Sequence, residues 1–183
     1  SDPRLLVWAI ERPSERPRLL EGAPDRILDF ELALDANAAG AIARDGRGWL
    51  WELPSGRLRQ QLELGDAKLV ELLPQPDGWL TLSDAGELHH WPSDDDLPLV
   101  RVDGAQRLLA LDPVSEGSPS ANAYVVLFDA SGGATIVAPD GSVLDRVAGG
   151  RGKLAFAGSV GARLWTLSED GTLTVWAMGG ADG

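Results

Sequence analysis

The chain contains no cysteine. Disulfide staples, thiolate metal sites and a cysteine nucleophile are therefore excluded. Histidine is nearly as scarce. His89 and His90 are the whole supply, too few for a multi-histidine metal site. Basic residues are outnumbered, with 16 Lys plus Arg against 28 Asp plus Glu, a net charge of −12. Nucleic acid and anionic membranes select basic surfaces, so neither is expected as a partner. No apolar run approaches the roughly eighteen residues of a membrane-spanning helix. The first residues lack a signal-peptide core. These features lead to the expectation of a cytoplasmic protein.

Residues with strand character are what remains in quantity. The apolar runs are short, aromatic or β-branched, and turn residues separate them: Trp79-Leu80, Tyr124 to Phe128, and Leu173 to Trp176 are examples. This pattern predicts strands. Arg26 to Asp35 is the best helix candidate, but it lacks an amphipathic period and is also read as a strand. A turn glycine followed five residues later by a bulky apolar residue recurs four times, as Gly46–Trp51, Gly86–Trp91, Gly132–Val137 and Gly171–Trp176. The glycines are 40, 46 and 39 residues apart. Each sits between two short strands. A leading strand precedes each pair, and in three units a fourth strand follows. Four strands about every 40 residues form one blade of a β-propeller.

The units IARDGRGWLWELPSGRLRQQL and LWTLSEDGTLTVWAM resemble tryptophan–aspartate (WD) repeats. The resemblance extends over nearly the whole chain. It implies an all-β protein of about four four-stranded blades, forming the C-terminal part of a ring of about seven blades. The blade boundaries expected are 1–22 for two strands of an incomplete blade, then 26–64, 67–102 and 106–148, and 152–178 for a three-stranded last blade. The inventory is seventeen strands. Open ends would expose strand edges and apolar blade faces, so the ring is expected to be completed by another chain or by an N-terminal fragment. A self-closing four-bladed ring is the alternative.

Chemistry is sparse. His89 and His90 point to opposite faces of one strand and cannot chelate one ion together. His90 falls in an inter-blade slot shared with Leu50, Ile136 and Val175, whereas His89 is expected to be the more exposed. The Asp94-Asp95-Asp96 run lacks the alternating ligands and glycine of a calcium loop and reads as a solvated turn able to make weak partner contacts. Trp8, Trp51, Trp91 and Trp176 share one repeat slot and are expected in blade packing. Trp79, outside that slot near a turn, is a candidate partner anchor, with core packing as the alternative. The insertion VSEGSPSAN, with Glu116 and Ser118, lengthens one blade, and such loops often carry recognition. Asp-Gly pairs at 45–46, 77–78 and 140–141 are accounted for as turns. No phosphate loop, G-x-S-x-G elbow or H-E-x-x-H helix is present.

The functional expectation is a non-catalytic scaffold for protein–protein contacts, without cofactor, metal or catalytic residues, working with a protein partner. DGRGWLWELPSGRL also resembles pyrroloquinoline-quinone-type repeats, which would imply a quinone- or metal-dependent propeller enzyme. Gln60 and Gln61 stand where those repeats carry tryptophan. A purely structural subunit of a larger machine is the third reading.

Overall fold

A computed structural model describes residues 5–8, 14–24, 26–33, 37–53, 55–75, 77–91, 98–111, 124–149, 152–160 and 163–177. These residues form seventeen strands and no helix. The first sheet pairs β1 (Leu6–Val7) with β2 (Arg18–Leu19). The second is β3 (Ile27–Ala33), β4 (Ala38–Ala43), β5 (Gly48–Glu52) and β6 (Leu58–Leu62), in sequence order. The third holds β7 (Leu69–Gln75), β8 (Gly78–Ser83), β9 (Glu87–Trp91) and β10 (Val100–Arg101), also consecutive. The fourth holds β11 (Ala105–Leu111), β12 (Tyr124–Asp129), β13 (Ala134–Val137) and β14 (Val143–Val147). The fifth has three strands, β15 (Leu154–Val160), β16 (Arg163–Ser168) and β17 (Leu173–Ala177). All the pairings with a stated register are antiparallel meanders. The stretch that came nearest to a helical reading is β3.

Local turn chemistry sets the meander. At the β4–β5 turn, Gly46 has φ +88°, a conformation that a side-chain-bearing residue enters at a cost. Asp45 closes the same turn by accepting the Arg47 amide at 3.1 Å. Asp170 does the same for Thr172 at the β16–β17 turn, at 2.9 Å.

The chain divides into two compact units, residues 1–83 with 91–96, and residues 84–90 with 97–183. In the first unit, both faces of the β3–β6 sheet are covered. Ala39, Ala41, Ala43, Trp49 and Trp51 on one face pack with Leu20, Leu5 and Val7 of the β1–β2 sheet. Ile42, Leu50 and Leu62 on the other pack with Leu69, Leu72 and Trp79 of β7 and β8. Alternate residues therefore serve two different cores. This is why strands such as AAGAIA are apolar at every position. In the second unit, Val126, Phe128, Ala134 and Ile136 of β12 and β13 pack with Leu164, Leu154, Ala157 and Trp176 of the last sheet.

Candidate functional site

The stacked pairs just described, first on second, second on third and fourth on fifth, each join one sheet's forward face, turned to the next sheet in sequence, to that next sheet's rear face. Strand register makes the positions comparable. Ile42 opposite Gly48 and Gly40 opposite Leu50 mark the forward face of the second sheet. The matching pairs are Phe128 with Ala134 and Val126 with Ile136 in the fourth sheet, and Leu167 with Leu173 and Trp165 with Val175 in the fifth. Ile42, Leu50, Phe128 and Ile136 are buried under a following sheet. In the fifth sheet Leu167, the equivalent of Ile42 and Phe128, is half-buried, Val175, the equivalent of Leu50 and Ile136, is 57% exposed, and Leu173, the equivalent of buried Gly48 and Ala134, is 61% exposed.

The rear slot shows the same contrast. Trp51 is fully buried, and its indole N–H donates to the Glu21 carbonyl of the preceding segment at 2.7 Å. Trp91 and Trp176 are half-buried in the equivalent slot, and the Trp91 N–H donates to Thr81 Oγ1 at 2.9 Å. Trp8 was expected in blade packing with them, yet it is 56% exposed, and Leu6 and Leu19 beside it are exposed too. Val7 and Leu5 turn the other way, into the core with Ala39 and Trp51. No preceding sheet covers Trp8 among the described residues. Among the described residues, exposed apolar side chains thus gather on the rear face of β1–β2 and on the forward face of β15–β17. The Leu6–Trp8–Leu19 cluster and the rows Phe156–Leu167–Leu173 and Gly158–Trp165–Val175 are apolar, and exposed Arg163 lies at the end of the same face of the fifth sheet. Apolar patches of this kind mark interaction surfaces.

The residues singled out from sequence fall elsewhere. Trp79 is not a rim anchor. It is 6% exposed, and its ring lies over Gly40, where an added Cβ would stand 2.9 Å from it. A glycine on the facing strand leaves the room that a tryptophan takes. His89 is buried at 6% exposure while His90 is only half-buried, the reverse of the expected order. The reason lies in the register. His89 occupies the slot of Trp49 and Thr135, both of them buried. Its Nε2 lies 3.7 Å from Glu87, whose other oxygen reaches Arg101 at 3.5 Å. Burial pushes the His89 pKa down, and the Glu87 carboxylate opposes this. Asp94, Asp95, Asp96, Glu116 and Ser118 lie outside the described residues.

An open cavity of about 820 Å³ beside the β4–β5 turn is lined by Arg26, Arg44, Arg47 and Trp49. Sequence reading did not mark it. Arg47 is occupied there, with Asp45 at 2.6 Å and its guanidinium 5.4 Å from the centre of the Trp49 ring. Hydrogen bonding to Arg47 holds the Asp45 carboxyl below the usual range. Among the described residues, no group of three or more carboxylate or imidazole side chains converges in a way that could hold a metal ion.

The chain matches no protein-family model and no curated protein. Solved structures do resemble it. The computationally designed Ika4 protein aligns over 87% of this chain and 96% of its own, with a TM-score of 0.67 and 20% identity. The computationally designed Ika8 protein aligns over 88% of this chain and 50% of its own, at 0.66 and 19%. BamB from Moraxella catarrhalis aligns over 88% of this chain and 44% of its own, at 0.58 and 21%. The chain thus spans nearly all of one and about half of the other two. Together with the four-stranded antiparallel sheets, these likenesses establish an all-β fold of the β-propeller kind.

Proposed function

We propose that the protein is a non-catalytic interaction scaffold, whose uncovered sheet faces dock a further polypeptide that continues the propeller. The observation that carries this reading is the pair of apolar faces at Leu6–Trp8 and Leu173–Val175, exposed at positions whose equivalents in the second sheet, Trp49, Trp51, Gly48 and Leu50, are buried. Burying apolar area is the main favourable term in protein association. A face already shaped to stack on a β-sheet is suited to receive another. The reading includes degenerate tryptophan–aspartate repeats, supported by the common slot of Trp51, Trp91 and Trp176, and a cytoplasmic setting, supported by the acidic, cysteine-free composition.

Photo-crosslinking tests it. A photoreactive phenylalanine derivative at Leu173 is expected to yield an adduct with a polypeptide in native cell extract, either this chain or another. The same group at the exposed β6 residue Arg59 should not. Adducts of equal yield at both positions, or none at Leu173, would refute the scaffold reading.

A further inference from the structure

We infer that the cavity beside the β4–β5 turn is a binding site for the carboxylate side chains of an acidic peptide segment. The site is separate from the apolar faces and does not depend on what covers them. Two arginines form its rim. Strand β3 starts at Ile27 opposite Ala43, and one residue further out the Arg44 amide donates to the Arg26 carbonyl at 2.9 Å. The backbones of Arg26 and Arg44 are thus adjacent at the ends of neighbouring strands. Both residues are exposed and both line the cavity. Arg47 shares the lining, but Asp45 holds it at 2.6 Å and Glu63 stands 3.9 Å away. Among the described residues, Arg26 and Arg44 have no such acid.

One wall is Trp49, which stands opposite Ala41 on β4 and Gln61 on β6. Its indole N–H is buried and meets no acceptor among the described residues. A buried donor left unmet is costly, and a ligand oxygen reaching this wall removes that cost. Charge narrows the ligand class. The chain carries −12 overall, which repels a long polyanion. The cavity lining inverts that sign locally, with three arginines against Asp45. A short segment with a few carboxylates feels this local excess, while salt screens the distant charges. Guanidinium groups are suited to carboxylates, and one such contact is already made at this rim: Arg47 Nε and Nη2 donate to an Asp45 oxygen at 2.9 and 2.6 Å. A volume of about 820 Å³ leaves room for a peptide segment beyond a lone inorganic anion.

Isothermal titration calorimetry of the full chain with a blocked glutamate–glycine hexapeptide is expected to show binding that weakens as salt rises. The glutamine–glycine counterpart should not bind, and inorganic phosphate should bind more weakly than the glutamate peptide. Arg26→Gln and Arg44→Gln should each weaken the glutamate peptide by about threefold or more, and the double variant should abolish binding. Arg59→Gln, at an exposed β6 position outside the lining, should bind as the parent does. All three arginines are exposed, so circular dichroism should match the parent. The Trp49 indole N–H resonance, assigned by its loss in Trp49→Phe, gives a second reading and should shift as the glutamate peptide is added. No binding at millimolar glutamate peptide, equal binding of the glutamine peptide, phosphate binding as tight as the peptide, full affinity in the double variant, an equal loss in Arg59→Gln, or an unmoved Trp49 resonance would each overturn the assignment.

Discussion

The second and fifth sheets are built on the same register and live in different surroundings. Both have an inner strand whose alternate residues face two ways, and both carry a tryptophan, Trp51 or Trp176, as the next-to-last residue of their third strand. In the second sheet both faces are closed, and β4 is reduced to alanine, glycine and one isoleucine so that neighbours can approach. In the fifth, the position of Gly40 is taken by Trp165, which lies half-buried over Gly158. Where a neighbour presses, the strand gives up side-chain volume. Where none does, the strand keeps large apolar side chains in the open.

Trp51→Ala should test that contrast with the largest effect. It empties a fully buried slot and removes the donor to the Glu21 carbonyl, so a loss of about 3–5 kcal/mol is expected in urea unfolding. Trp176→Ala, in the half-buried equivalent slot, should cost clearly less. Equal losses would break the comparison. Next comes a matched pair on the forward face. Leu50→Ala should cost about 2–5 kcal/mol. Val175→Ala, at an exposed position, should stay within about 0.5 kcal/mol in the purified chain at high dilution.

Close approach gives a third handle. A Cβ on Gly40 would stand 2.8 Å from Leu72 Cδ1 and 2.9 Å from the Trp79 ring. Gly40→Val should therefore cost about 1–3 kcal/mol by overpacking, as read by thermal unfolding. A neutral result would mean the second and third sheets are not pressed together there.

The strands and turns were legible because their causes are local. Asp45-Gly46-Arg47 writes its own turn, and the 40-residue spacing of such turns is visible without coordinates. Facing was not legible. His89 and His90 are neighbours on one strand, and only the flanking sheet decides which is buried. Trp8 and Trp51 share a slot, and among the described residues only Trp51 has a preceding sheet over it. The resemblance to a named repeat stays loose for a different reason. The residue after each slot tryptophan is Glu52, Pro92 or Ala177, so the dipeptide that names the resembled repeats is absent.

The smallest effect belongs to pH. His89 is buried in the slot that β17 fills with Thr174. Its folded pKa is depressed, so the unfolded chain takes up the proton first, near pH 6.5. The His89 contribution should be intact above that pH and be lost as pH falls through the folded value. His89→Gln should flatten this part of the stability profile. An unchanged slope would show that other groups set it.

Hydroxyl-radical footprinting of the protein in native cell extract tests the central claim most directly, with the purified chain at high dilution as the reference. Leu173 and Trp8 are 61% and 56% exposed in the single chain, and Leu144 on β14 is 52% exposed and serves as control. If the open faces are an interface, Leu173 and Trp8 will be shielded in the extract while Leu144 is labelled as before. Labelling of all three at their single-chain levels would contradict the account.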